Sequence, residues 1–380
     1  MYFWILRLAA LLGHKKARKL VQGQACALDE LQEWVKTLGG CQVLWFHAAS
    51  VGEFEQARPI IERLHSELPF RKVLLTFFSP SGYELRKNYP MVDKVTYLPF
   101  ATRKNAKQLL EILPLEAAIM VKYEFWPAYL KELKAKNIPT YLISAIFRPS
   151  QLFFKPWGKG YLQLLHAFKH IFVQDQASAE LLQKHGITHV EVAGDTRFDR
   201  VAAIARAAKP VDIVARFKGD APLFVAGSTW GPDEDILLPL INDNPDVKFV
   251  IAPHEMDESR IERLLRSVKG GAVRYTQLST DFMDKQVLVL DTVGLLSRVY
   301  GSADWAYVGG GFGAGIHNTL EAAVYGLPVT FGPKYRKFKE ACDLIELSVG
   351  CSVKSAEELK VWFDDLKCDV EYLARLSALA

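Results

Sequence analysis

Cysteine is scarce in this chain, with five residues in 380 (Cys26, Cys41, Cys342, Cys351 and Cys368) and no C-x-x-C pair among them. That excludes a thiolate zinc site and a disulfide framework, and fits a reducing compartment. Also missing are G-x-x-x-x-G-K-[ST], G-x-S-x-G and H-E-x-x-H, which removes the commonest ATPase, hydrolase and zinc-protease readings. Charge of one sign is not in excess: 47 Lys and Arg against 43 Asp and Glu leave +4, too little to demand a nucleic-acid partner. No short-period repeat or low-complexity tract occurs.

The longest apolar opening, MYFWILRLAALL, is too short to span a bilayer and has its basic cluster, HKKARK, after it rather than before. An aromatic and leucine-rich segment followed by Lys15, Lys16, Arg18 and Lys19 reads as a helix lying in a headgroup region, or as one packed on the protein's own core. Both readings stay open on the residues alone.

What is present is alternation. β-branched runs at 42–47, 72–77, 94–97, 117–122, 140–143 and 171–173 are separated by amphipathic stretches such as 55–68 and 126–136. After an Ala/Lys/Arg-rich pause at 199–221 the rhythm restarts at 223–226, 248–251, 272–275, 287–290, 305–308 and 328–331. This predicts an α/β protein of two doubly wound, Rossmann-like domains joined near residue 205 and facing a central cleft. Ligands of such sheets bind at the carboxyl ends of the strands.

Two stretches concentrate chemistry. In WFHAASVGEFEQARPI a strand ends at His47 and a helix begins near Val51. Ser50 and Glu53 fit a capping box, while the same Glu53 beside Gly52 suits a general base. In YVGGGFGAGIHNTLEAAVYGLPVTFGP a strand enters a glycine-rich loop, with a helix expected from Asn318. The backbone amides of Gly309, Gly310 and Gly311 and that helix end would suit phosphate. Gly309, Gly311 and Ala314 satisfy G-x-G-x-x-A only formally, because the helix starts late and no ribose-binding acid ends the next strand. Glu321 either caps or holds a ribose hydroxyl. Ser228 and Thr229 in AGSTWGPDED could donate to phosphate or cap a helix. Asp233 and Asp235 form a D-x-D pair that either holds a divalent metal or favours the helix dipole.

The motifs HAASVGE (47–53), FSPSG (78–82), YEFWP (123–127), GDTRFDR (194–200), AGSTW (226–230), APHE (252–255), DTVGLL (291–296) and GGGFGAGIHNTLEAAVYGLPVTFGP (309–333) stand in one order. With them the chain resembles the 3-deoxy-manno-octulosonic acid (Kdo) transferases of lipopolysaccharide assembly across nearly its whole length. The resemblance implies the GT-B architecture and inverting transfer of Kdo from CMP-Kdo to a lipid A precursor, with no metal and no other cofactor. It also implies a membrane-associating helix (1–22), an acceptor-binding domain (23–205) and a CMP-Kdo-binding domain (206–380).

By the same resemblance Glu53 is the catalytic base, while Glu124 and Arg197 stabilise the transition state. Nucleotide contacts fall on Pro253 and His254, on Val293, Gly294 and Leu295, and on Asn318, Thr319, Leu320 and Glu321. The implied partners are CMP-Kdo, the lipid A precursor and an anionic membrane surface, with no nucleic acid, at the cytoplasmic face of the inner membrane. An acidic sugar and a phosphorylated lipid would also welcome Arg58 and Arg148. The chain departs from the family where it has Pro253-His254-Glu255 in place of P-R-H-P-E, Leu295 in place of a glutamate, and Arg197 in place of a lysine. Competing readings are a GT-B transferase of a UDP-sugar, a non-catalytic sugar-nucleotide binder at a membrane, and a dehydrogenase.

Overall fold

The computed structural model describes Leu6, Ala9, residues 12–68 and residues 70–368. The expected apolar anchor at 1–12 therefore lies mostly outside the described residues. Two compact units emerge, Met1–Asp199 and Arg200–Ala380, and they divide within the helix Thr196–Ala207.

The first unit is built on strands β1 (Val43–Ala48), β2 (Lys72–Phe77), β3 (Lys94–Tyr97), β4 (Leu115–Val121), β5 (Thr140–Ala145), β6 (His170–Val173) and β7 (Val190–Val192). They form one parallel sheet in the order β3-β2-β1-β4-β5-β6-β7. β1 reads VLWFHA and is buried along its full length, as a strand covered on both faces must be. One face packs Trp45, Leu74, Met120 and Tyr129. The other packs Phe46, Phe54, Leu75 and Ile119 under the helix Val51–Glu67.

The second unit repeats the plan with β8 (Leu223–Thr229), β9 (Lys248–Pro253), β10 (Ala272–Arg274), β11 (Val287–Val289), β12 (Trp305–Val308), β13 (Val329–Phe331) and β14 (Gly350–Ser352). The order is β10-β11-β9-β8-β12-β13-β14, again all parallel. Two strands escaped the sequence reading, β7 and β14. Both are three-residue edge strands without a fully buried position, so neither carries an apolar run to notice.

In each sheet the strand order reverses once, between β1 and β4 and between β8 and β12. Adjacent strands there send their following segments to opposite faces, which opens a crevice at the carboxyl edge. Backbone strain gathers at the same edges. Of the five non-glycine residues with positive φ among the described residues, Lys122 (φ 62°) follows β4, Ser144 (φ 53°) lies near the end of β5, and Ser228 (φ 53°) near the end of β8. Such conformations cost about 1–3 kcal/mol each and cluster where function constrains the chain.

Candidate functional site

Glu53 and Glu124 come from the two strands that flank the first reversal. Glu53 lies in the first turn of the helix Val51–Glu67, which follows β1. The expected capping box does not form. Ser50 adopts the extended N-cap conformation without a side-chain bond, and Glu53 Oε2 accepts from the amide of Ala49, one residue further back, at 2.5 Å. Phe54 fixes this turn by packing against Phe77 and Tyr89, with ring centroids at 6.0 and 5.0 Å. Truncating it to alanine would remove about 3–5 kcal/mol.

Glu124, in the loop after β4, is 7% exposed. Its Oε2 accepts from Trp126 Nε1 at 2.6 Å and lies 2.8 Å from His47 Nε2. Burial pushes the Glu53 carboxyl up to about 7, and the neighbouring Glu124 adds to the rise. The Ala49 amide, His47 and Lys122 pull the other way. A partly buried carboxyl that titrates near neutrality is suited to take a proton from a hydroxyl and give it up again.

Arg197 begins the helix Thr196–Ala207 after β7. Its guanidinium is bound to Asp195 Oδ2, from Nε at 2.8 Å and Nη2 at 2.6 Å. The preceding Thr196 donates to the Gln56 carbonyl at 2.6 Å, so this helix start packs on the same helix that carries Glu53. Arg58 is drawn into its own helix surface by Glu62 at 2.6 Å and lies over the Tyr89 ring. Arg148 stands exposed beyond β5, and its charge reaches Tyr123, the residue before Glu124.

In the second unit every residue singled out for the donor falls at the carboxyl ends of four neighbouring strands. Ser228 and Thr229 close β8, Pro253 and His254 lie at the end of β9, Val293–Leu295 follow β11, and Gly309–Gly311 and Asn318–Glu321 follow β12. The details correct the phosphate cradle. The Gly309 amide donates to the Gly227 carbonyl at 2.9 Å, and the Gly310 amide donates to Asp233 Oδ2 at 3.0 Å. These two amides are committed within the protein. Glycine is required at 309 for another reason, since a Cβ there would meet the Ser228 carbonyl oxygen at 2.3 Å. Thr229 likewise spends its hydroxyl on Glu234, at 2.9 Å. The helix expected from Asn318 is a single turn, Leu320–Ala323, and from just before it Asn318 Nδ2 donates to Glu321 Oε1 at 3.0 Å.

Asp233 is the organiser of this loop. It is 1% exposed and accepts from Trp230 N at 2.8 Å, Gly310 N at 3.0 Å and Tyr307 Oη at 2.7 Å. Asp235 instead faces solvent and pairs with Arg263. The D-x-D spacing is thus a buried cap followed by a surface acid. The sequence reading also passed over an aromatic stack on this edge. His254 and His317 lie face to face at 4.1 Å, and Trp230 Nε1 donates to His317 Nε2 at 3.1 Å. Burial, then His254, lowers the His317 pKa, and the indole N–H on Nε2 leaves Nδ1 to carry the proton of the neutral ring.

Residues 17–200 match the family model described as 3-Deoxy-D-manno-octulosonic-acid transferase (kdotransferase). The chain is 28% identical over 336 residues to the 3-deoxy-D-manno-octulosonic acid transferase of Aquifex aeolicus, covering 85% of this chain and 86% of that one. It is 25% identical over 334 residues to a bifunctional glycosyltransferase/methyltransferase of Fusobacterium nucleatum, covering 83% of this chain but only 51% of that protein. The chain therefore spans about half the length of that relative.

Among solved structures, UDP-GlcNAc 2-epimerase from Neisseria meningitidis superposes with a TM-score of 0.62 at 16% identity, covering 89% of this chain and 94% of that one. A putative UDP-N-acetylglucosamine 2-epimerase from Listeria monocytogenes gives 0.63 at 11%, covering 90% and 92%. At those identities the likeness speaks for the GT-B fold alone.

Proposed function

By its first domain, residues 17–200, the chain belongs to the 3-deoxy-D-manno-octulosonic acid (Kdo) transferase family, and on that premise we propose that it transfers Kdo from CMP-Kdo to a hydroxyl of a lipid A precursor with inversion. The observation that carries the reading is Glu53, held at the strand reversal of the first sheet with its carboxyl raised to about 7.

As a carboxylate Glu53 accepts the proton of the acceptor hydroxyl while the oxygen attacks the anomeric carbon and CMP leaves from the opposite side. One displacement inverts the centre. Glu124, fixed by His47 and Trp126, holds the negative charge that keeps Glu53 basic. Arg197, oriented by Asp195, supplies positive charge near the first turns of the Glu53 helix.

Donor binding belongs to the carboxyl edge of the second sheet, at Pro253-His254, Val293–Leu295 and Asn318–Glu321. The commitment of Asp233 to three protein donors supports transfer without a metal on that residue.

Membrane association rests on Lys15, Lys16 and Arg18, all exposed at the start of the helix Lys15–Val35. None of the described helices is long and apolar enough to cross a membrane. The reading places the protein on the cytoplasmic face of the inner membrane by surface attraction.

Incubation of the purified chain with CMP-Kdo and a tetra-acylated lipid A precursor, followed by mass measurement, should show addition of Kdo and release of CMP. Transfer from a UDP-sugar with CMP-Kdo inert would replace this reading with that of another GT-B transferase.

A further inference from the structure

Trp45 and His47 point to one face of β1, and Thr76 is the register partner of His47 on β2. All three side chains are fully buried. Trp45 Nε1 donates to Thr76 Oγ1 at 2.8 Å. His47 Nδ1 lies 2.9 Å from Thr76 Oγ1 and 3.1 Å from the Thr76 carbonyl oxygen. On its other side His47 Nε2 meets Glu124 Oε2 at 2.8 Å, the same oxygen that takes the Trp126 indole N–H. A continuous chain of five side chains thus links the core of the sheet to Glu124.

Proton accounting settles the direction of most of these bonds. A carbonyl oxygen only accepts, so Nδ1 of His47 carries a proton. Thr76 Oγ1 already takes the Trp45 N–H and directs its own proton to the Phe46 carbonyl at 3.4 Å. The remaining contact, Nε2 to Oε2, holds one proton. The pair is either imidazolium with carboxylate or neutral imidazole with carboxylic acid. The indole N–H on the same oxygen favours the charged form of the carboxyl.

We propose that His47 is a positioning residue: a buried imidazolium, locked by Thr76, that keeps Glu124 ionised and turned toward the Glu53 side of the crevice. The role acts through Glu124, since His47 is sealed from any substrate. It deepens the Kdo-transfer reading and rests on it for its kinetic test alone. A histidine placed only to fill the core would be neutral, and a glutamine of similar reach would replace it without kinetic effect.

The primary experiment is nitrogen NMR on the full chain labelled at histidine, with the His47 signals assigned by their loss in His47→Gln. At about pH 7.5, where an unperturbed imidazole is mostly neutral, both ring nitrogens of His47 should carry protons. In Glu124→Gln the ring should become neutral at the same pH, with Nδ1 still protonated. A neutral His47 in the unmodified chain, in either tautomer, overturns the proposal, as does an imidazolium that persists in Glu124→Gln.

The kinetic arm measures Kdo transfer. His47→Gln should lower kcat by about tenfold or more while leaving KM for the donor unchanged. Thr76→Val should lower kcat in the same way, and Thr76→Ser should restore it. Normal kcat in a folded His47→Gln overturns the positioning role. If the unmodified chain transfers no Kdo, the function fails while the NMR result still decides the pairing.

Discussion

Glu53 keeps its proton up to about pH 7 in the folded chain, against 4.5 for the unperturbed group. Between those values the folded state binds more protons than the unfolded state, so stability falls as pH rises. The favourable contribution is complete below 4.5 and is lost through the folded value near 7. Glu53→Gln cannot ionise yet still accepts from Ala49. Allowing for the partial exposure of the site, it should be more stable than the parent by on the order of 1–2 kcal/mol at about pH 8. The difference should close toward pH 4.5, and thermal melts across that range check it. A gap that does not change with pH would mean the carboxyl is not held in this environment.

The sequence showed that Glu53 ends a motif and could cap a helix. It could not show that the cap reaches Ala49, nor that Glu124 lies close enough to raise its pKa, because that neighbour is 71 residues away and brought in by the sheet order. His47 stood in the quoted motif without a role for the same reason: its partners, Thr76 on β2 and Glu124 in the loop after β4, are distant in the sequence.

At the scale of elements, the loop after β8 separates two meanings of D-x-D. Asp233→Ala strands the buried donors of Trp230, Gly310 and Tyr307, so it should cost about 3 kcal/mol or more. Asp235, with a side chain 63% exposed, should tolerate alanine within about 0.5 kcal/mol and keep full transfer activity. Denaturant unfolding and a transfer assay read both. Loss of magnesium-dependent activity in Asp235→Ala at unchanged stability would restore the metal reading. Sequence spacing gave no means of choosing, since burial alone distinguishes the two acids.

The helix Lys15–Val35 supplies a second case. Its first turn holds no acid and starts with Lys15, Lys16 and Arg18, charges that oppose the helix dipole. Lys19 differs, being paired with Glu84 at 2.8 Å. Replacing Lys15, Lys16 and Arg18 by glutamate should raise stability by about 1 kcal/mol and reduce sedimentation with anionic vesicles. Undiminished vesicle binding at low salt would remove this cluster from the membrane contact.

At the scale of the whole molecule, the alternation of runs and helices was enough to read two parallel sheets, because twelve of the fourteen strands among the described residues hold at least one buried apolar position. The two that were missed are edges with no buried position, where residues such as Glu191 and Ser352 leave no apolar signature. Strand order was not legible, and strand order is what brings His254, Leu295, Thr229 and Glu321 to one edge of the second sheet.

Glu321→Gln tests that edge. Glutamine can still receive the Asn318 amide, so the melting temperature should hold, while CMP affinity should fall by up to about tenfold if a ribose hydroxyl loses a charged acceptor. Isothermal titration with CMP reads this, and unchanged affinity at unchanged melting temperature removes Glu321 from the donor site.

The central claim is that Glu53 is the base of a Kdo transfer. The pH dependence of kcat/KM for transfer from CMP-Kdo tests it most directly. Activity should rise with pH through a single group of apparent pKa about 7. In Glu53→Gln the rate should drop by about two or more orders of magnitude, and that limb should vanish. A limb that persists in Glu53→Gln, or a rate within about threefold of the parent, would contradict it.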